Sequence, residues 1–409
     1  MPYTIAGIDI HKKILMVVVT DVSIETFVFE RRRFGATASE RQHLVAWLRE
    51  RGVQEIVMES TAQYWKPVWL DVEPHFGRLH LAQAHSNRAP KGRKHDFADA
   101  ERLTRRLVAG ELRLSFVPDA EQRAWRTLTR GKLQLVRERV RLQNQLEALL
   151  EEMRLKLSSV ISELLGLSGR RILRAIADGE SDPAKLAELG DWRLKASKAE
   201  LTDALTGHWQ PLHREMLQLF LERLDLFDRQ IQQLDRMTAS AMSQHAQAVV
   251  RLAEVPGFGP DSAQQFIAEV GPEVEAFPSA GRFAAWIGCC PGSEESAEQN
   301  HSSRSPKGNP FVRRILTEAS QAAVKKNGSH FQAVFRRWLI RLGYNAAIWA
   351  IAHKLCRVVW KILHDKVHYL ERGQESSPKA KRQRAQKMLN ALRKMGYAVV
   401  ITSPVPEST

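Results

Sequence analysis

Apolar positions over the first hundred residues come mostly in short, β-branched runs. Tyr3 to Asp9 (YTIAGID) and Ile14 to Thr20 (ILMVVVT) flank a polar turn at His11-Lys12-Lys13 and predict a hairpin. A third run, Thr26 to Phe34, leads into a helical pattern from Ser39 to Arg51 in which Leu44, Trp47 and Leu48 share a face, and Gly52 ends it. Glu55 to Met58 predicts a buried strand with Glu59-Ser60-Thr61 at its carboxyl end, followed by a helix carrying Trp65, Val68, Trp69 and Val72. Arg78 to Ala84 supplies a fifth strand, and a further helix starts near Asp96.

From Asp119 the spacing changes. Leu128, Leu135, Leu142 and Leu149 recur every seven residues, with Leu146, Met153 and Val160 on the partner seam and Lys132 and Arg139 interrupting it, the pattern of a coiled-coil arm. A second helix, Leu212 to Met237, carries Met216, Phe220, Phe227, Ile231 and Leu234 on one stripe. Folding back within the chain and pairing between subunits satisfy these two stripes equally. Between them Gly166 to Gly207, broken by Gly169, Gly179, Pro183 and Gly190, predicts short helices and turns. Val255-Pro256-Gly257-Phe258-Gly259-Pro260, before an apolar helix from Ser262 to Val270, matches a helix-hairpin-helix element in which Gly257 and Gly259 let backbone N–H groups approach a phosphate. A tight turn between two helices fits the same residues. A short helix at Phe283 to Gly288, a serine-rich loop from Pro291 to Pro310, and helices from Phe331 and Ile348 that bury Trp338, Trp349 and Trp360 follow. The expected organisation is a sheet domain at 1–115, a helical coiled-coil region at 116–248, a helical carboxyl-terminal domain at 249–371 and a basic tail at 372–409.

The order β-β-β-α-β-α-β-α is that of an RNase H/RuvC-like fold, so the expected class is α/β at the amino terminus and all-α beyond it. In that arrangement the first and fourth strands lie parallel and about 4.8 Å apart, which brings Asp9 and Glu59 to one edge of the sheet, where open sheets hold ligands. A helix packing across that edge adds Asp96 and Asp99, three residues apart and so on one helical face. Four carboxylates there could not all stay ionised without cations. Hard oxygen donors and a phosphate substrate point to Mg2+, with two ions about 4 Å apart clamping a phosphodiester. Taken singly, Asp9 also fits a strand-end turn, and Glu59 and Asp96 helix caps.

Charge narrows the partner. The 409 residues hold 61 Lys and Arg against 46 Asp and Glu, a net charge of +15 that implies a polyanion such as nucleic acid. Arg88, Lys91, Arg93 and Lys94 precede the Asp96 helix, and Arg304, Lys307, Arg313 and Arg314 lie at the end of the serine-rich loop. Ser376 to Lys394 holds seven basic residues and no acid, Lys379, Lys381, Arg382 and Arg384 among them. Apolar runs such as Ile14 to Val19 are too short to span a bilayer, and no cleavable signal precedes that one, so a cytoplasmic protein with no membrane partner is expected. Cys289, Cys290 and Cys356 form neither a C-x-x-C pair nor an even framework and are expected to be reduced thiols. His364 and His368 lack a third ligand and are expected at the surface.

Gly7-Ile8-Asp9, Met58-Glu59-Ser60-Thr61, Asp96-Phe97-Ala98-Asp99-Ala100, the Val255 to Pro260 hairpin, and Ala284-Ala285-Trp286-Ile287-Gly288 with Lys307-Gly308-Asn309 resemble, in order and spacing, the DEDD transposases of insertion-sequence family one-ten. These are the bridge-RNA-guided recombinases. The resemblance covers both ends of the chain, and the middle matches only in being helical. It implies a RuvC-like domain with Asp9, Glu59, Asp96 and Asp99 as metal-binding acids, and a carboxyl-terminal domain that supplies a serine nucleophile. In the family that serine follows a Gly-x-x-Pro segment and an acid, here Gly288-Cys289-Cys290-Pro291 and Glu295, which gives Ser296. Ala297 stands where glycine is usual, and the loop up to Lys307 is shorter than usual. The resemblance further implies a structured noncoding guide RNA that selects donor and target DNA. It also implies a homo-oligomer, dimer to tetramer, whose composite sites join one subunit's acids to another's serine. The basic tail lies beyond the family's usual end.

Three functions follow as expectations. The first is the RNA-guided recombinase; the second is a junction-resolvase-like metal nuclease in which water attacks and Ser296 is incidental; the third is a non-enzymatic nucleic-acid scaffold. A serine hydroxyl is a poor nucleophile at neutral pH, and the loop offers no His-Asp relay, so the first requires activation from the carboxylates and their cations.

Overall fold

In the computed structural model the chain divides into two compact units, Met1–Pro118 and Asp119–Thr409. The structure describes residues 3–23, 27–60, 62–84, 97–290 and 305–371 with Gln386 and Asn390, and the backbone alone of 294–296 and 299–302.

The first unit runs β1 (Thr4–Ile10), β2 (Ile14–Asp21), β3 (Glu30–Gly35), α1 (Ala38–Glu50), β4 (Glu55–Glu59), α2 (Trp65–Val72), β5 (Arg78–Ala82), α3 (Ala98–Val108) and β6 (Leu114–Ser115). Its mixed sheet has the order β3-β2-β1-β4-β5-β6. β1 and β4 are parallel neighbours with Ile8 opposite Met58, as the element order predicts. Two details differ. β6 is only two residues long and pairs antiparallel with β5, too short for any periodic pattern to announce it. The third strand is Glu30–Gly35, shorter than the Thr26 to Phe34 run, and ahead of it Phe27 and Phe29 lie against the Arg105 guanidinium, which is 5.4 and 4.9 Å from their ring centroids.

Alternation along β1 sorts the two faces of the sheet. Ala6, Ile8 and Ile10 join Leu44, Trp47 and Leu48 of α1 and Val68, Trp69 and Val72 of α2 in one core. Gly7 and Asp9 therefore face the other side, where Leu103 of α3 packs on Val57 and Ala82. A Cβ at Gly7 would lie 2.3 Å from Thr104 Oγ1 and 2.4 Å from the Ala100 carbonyl oxygen, so α3 approaches β1 as closely as only glycine permits.

The second unit opens with α4 (Ala120–Glu152), passes through α5 (Leu157–Val160), α6 (Leu167–Ala177), α7 (Pro183–Glu188) and α8 (Lys198–Ala204), and returns along α9 (Pro211–Ala241). Asp119 caps α4 by accepting from Gln122 N–H at 2.7 Å. α4 and α9 lie antiparallel within the chain: Trp125 donates to the Ala241 carbonyl at 3.1 Å, Lys132 pairs with Asp235, and Arg139 pairs with Asp228 at 2.8 Å. The two charged interruptions of the apolar seam are thus cross-helix ion pairs, and Lys132 also reaches Asp261 at 2.7 Å. α5 to α8 close a leucine-rich core with Leu142, Leu146 and Leu149 of α4 and Leu217, Leu221 and Leu224 of α9.

Then come α10 (Ala246–Ala253), α11 (Pro260–Val270), α12 (Ala280–Ile287), a two-stranded hairpin of β7 (Glu294–Ser296) and β8 (Gln299–Ser302), α13 (Pro310–Ala323), α14 (His330–Leu342) and α15 (Tyr344–His364). All these helices contribute to a second core. Trp338, Trp349 and Trp360 are half-buried against it and not fully buried as expected. Two of them use the indole N–H: Trp349 donates to Ser305 and Trp360 to the Phe277 carbonyl at 3.0 Å, which ties each ring to the polar margin. His364 and His368 are exposed and bond Asp365 and Glu254. Among the described residues no helix is long and apolar enough to cross a membrane.

Candidate active site

In the first unit, Asp9 and Glu59 each stand one residue beyond the Ile8–Met58 pair, at the carboxyl ends of β1 and β4. Asp9 is buried, with His11 Nε2 at 3.1 Å from its carboxylate. Burial pushes the Asp9 carboxyl above its ordinary value; His11 opposes this, and the negative charges of Asp99 and Glu59 reinforce it. Asp99 lies in the first turn of α3, where the helix dipole favours an anion, and accepts from Arg102 at 2.7 Å. Hard carboxylate oxygens that repel one another are the donor set a divalent cation suits, so the residues fit the ion in their chemistry. Among the described residues, however, no three His, Cys, Asp or Glu side chains are drawn together tightly enough to hold it. Asp96, the fourth acid, lies outside the described residues, as do Lys91, Arg93 and Lys94.

In the second unit the serine-rich loop leaves α12 and returns to α13 through two roots in contact. A Cβ on Gly308 would lie 1.9 Å from the Ile287 carbonyl oxygen, and one on Gly288 would lie 2.4 Å from that of Pro306. Arg313 donates to the carbonyls of Gly288 and Pro306, and its guanidinium lies 4.3 Å from the centroid of the Trp349 ring. Next to these roots an open cavity of about 600 Å3 is lined by Lys307, Arg314, Thr317 and Trp349 among others. Ser296 sits at the end of β7; only its backbone is described, and Arg304 lies outside the described residues.

Residues 6–154 match the DEDD transposase profile of IS110, described as a transposase, and residues 249–336 match the profile described as a transposase of the IS116/IS110/IS902 family. The chain belongs to the IS110 family of transposases. It is 28% identical over 284 residues to a protein of Pseudomonas aeruginosa named "Probable family 20 transposase", a match covering 68% of this chain and 75% of that protein. It is 26% identical over 275 residues to a Sinorhizobium fredii protein named as a transposase, y4pF/y4sB, covering 66% of this chain and 62% of that one. DNA is therefore a partner, and the DEDD family implies a divalent metal.

Other nominated residues of this transposase fall into different surroundings. Gly257 has φ +92° and a Cβ there would lie 2.0 Å from the Ala319 carbonyl oxygen, so the close approach it allows is to α13. Gly259 faces open space at the start of α11, and its N–H donates to Ser262 at 2.8 Å. Lys307 is exposed, whereas Arg314 bonds Glu318 at 2.8 Å and Gln265 at 2.5 Å. Lys379, Lys381, Arg382 and Arg384 lie outside the described residues. Asn309 escaped attention as a site residue. Its carboxamide oxygen accepts from Phe311 and Val312 N–H to cap α13, and its amide donates to buried Glu269 at 2.8 Å. Asn followed by Pro310 is a helix-start signal that sequence reasoning could have used.

Proposed function

We propose that this IS110-family transposase cuts and rejoins DNA through a covalent serine–DNA linkage made by Ser296, with Asp9, Glu59, Asp96 and Asp99 holding Mg2+ at the reacting phosphate and a structured guide RNA selecting donor and target DNA. The observation that carries this reading is the placement of Asp9 and Glu59 at the ends of the neighbouring strands β1 and β4, with buried Asp9 feeling the charges of Glu59 and of Asp99 in the first turn of α3. In this reading the first unit is a RuvC-like domain, α4 and α9 form the coiled-coil arm, and α10 to α11 is the helix-hairpin-helix element. The domain limits proposed are 1–115, 116–248, 249–371 and 372–409.

When bound, the cation supplies positive charge to phosphate oxygens and to the attacking and leaving oxygens. The chain's residues do the rest. Ser296 Oγ forms a bond to phosphorus as the bridging P–O bond of the strand breaks; the serine proton is lost to solvent and the leaving oxygen gains one. One phosphodiester replaces another, so strands can be rejoined without ATP. The start of α11 at Gly259 and the exposed Lys307 hold DNA backbone, while Lys91, Arg93, Lys94, Arg304 and the tail with Lys379, Lys381, Arg382 and Arg384 add charge for DNA and RNA. Copies assemble so that the acids of one serve the serine of another.

The test expresses the chain together with the DNA flanking its own reading frame, supplies Mg2+, and resolves the products on a denaturing gel. A DNA-bearing peptide that contains Ser296, mapped by mass spectrometry, is the expected result. Cleavage with no protein–DNA adduct would favour the nuclease, and no Mg2+-dependent cleavage the scaffold. Sequencing RNA that copurifies with the chain tests the guide.

A further inference from the structure

We infer that Arg313 and Trp349 form a clamp that sets the position of the serine loop, and that Arg313 is a positioning residue and not a phosphate contact; the catalytic consequence rests on the Ser296 reading above. The loop's two roots already touch backbone to backbone at Gly288 and Gly308, where a side chain on either would clash with a carbonyl of the other root or its neighbour. Arg313, in the first turn of α13, joins them a second time. Its Nη1 donates to the Gly288 carbonyl on the outgoing root and to the Pro306 carbonyl on the returning one, the latter at 3.2 Å. Trp349 of α15 completes the arrangement from the other side: its ring lies 4.3 Å from the guanidinium carbon, and its Nε1 donates to Ser305 Oγ at 2.9 Å.

The chemistry separates this role from phosphate binding. An arginine that recognises phosphate presents a planar fork to the anion. Arg313 is half-buried, is stacked on an indole and has Nη1 committed to two neutral carbonyls. Among the described residues of these roots, Lys307, two residues from Ser305, is an exposed cation. A nucleophile carried on a loop must be held close to the line of attack, and a misplacement of 1 Å can lower a rate about 100-fold. The clamp meets that requirement at the two roots by which the loop leaves α12 and enters α13.

Arg313→Lys distinguishes the two roles, because lysine keeps the charge a phosphate needs but has no planar group to stack on Trp349 while bridging two carbonyls. Trp349→Phe is the second variant: it keeps a ring and removes the N–H that Ser305 accepts. Hydrogen–deuterium exchange on the full chain should show higher uptake than wild type in peptides spanning 289–307 for both variants, with the α13 and α15 peptides unchanged. With Mg2+ and the flanking DNA as substrate, Arg313→Lys should form the covalent adduct about 100-fold more slowly at saturating DNA, with the half-saturating DNA concentration unchanged. Unchanged uptake in 289–307, or uptake raised throughout the helices, would overturn the clamp. So would a raised half-saturating concentration with an unchanged rate, the signature of a phosphate contact. If wild type forms no adduct, the Ser296 reading fails, and the exchange experiment still decides the clamp.

Discussion

Asp9 and Glu269 are both buried carboxylates, and their neighbourhoods are opposite. Glu269 is 1% exposed and accepts two bonds from Arg130, at 2.7 and 2.8 Å, with Arg126 at 3.6 Å and the Asn309 amide at 2.8 Å. Burial pulls the Arg126 guanidinium down to about 10, while Glu269 pulls it up. The charge of Glu269 is balanced from inside the fold, which makes it a tie between α4, α11 and the cap of α13. Asp9 is 7% exposed, has a solvent-exposed histidine as its hydrogen-bonding neighbour, and faces two more acids. Asp9 thus has a weaker balance from inside the fold than Glu269 has, the contrast expected between the proposed cation site and a strut.

The largest effect expected is on the Asp9 side. Asp9→Asn should lower strand cleavage about 10³-fold or more, since it removes a charge on which metal binding depends. It should not lower stability in the presence of a chelator. The Asp9 carboxyl is raised in the folded state, so the native state binds the proton more tightly than the unfolded chain, and the stabilisation this gives at low pH is lost as pH rises through the raised value. At pH 7 the ionised group opposes folding and asparagine does not. A urea midpoint in EDTA that falls on substitution would break the comparison.

Glu269→Gln should do the reverse, costing about 3–5 kcal/mol by leaving Arg126 and Arg130 without their buried counter-charge. Urea denaturation measures it, and a loss below about 1 kcal/mol would mean that Glu269 is no such tie. Gly7→Ala comes next. A methyl group in the space held by the Ala100 carbonyl and Thr104 should cost about 1–3 kcal/mol and displace α3 with Asp99, so cleavage should fall although no acid has changed. A stable variant with full activity would show that the acids do not depend on that approach. Asn309→Ala is expected to be mildest, about 1 kcal/mol for the lost cap. Asn309→Asp sharpens the reading of Glu269: it caps as well as asparagine but sets a negative charge against that carboxylate, so it should be less stable than the alanine variant.

Local chemistry in the sequence determined much of this protein. Short β-branched runs predicted β1, β2, β4 and β5, the heptads beyond Asp119 predicted α4, and parallel neighbours β1 and β4 brought Asp9 and Glu59 to one edge. Those features depend on residues close in sequence or on a backbone geometry that strands share, so spacing encodes them. Partner choice is different. That Lys132 and Arg139 would find acids on α9, that Gly257 would admit the Ala319 carbonyl, and that Glu269 would meet Arg130 across 139 positions were settled only by packing. Arg313 shows the limit most clearly. Its position after a serine-rich loop in a basic chain suggests phosphate, but once α13 and α15 dock, two carbonyls and an indole surround its guanidinium. A charge in sequence states what a side chain can bind; only the tertiary neighbours decide what it does bind, because desolvation and geometry are properties of the packed site.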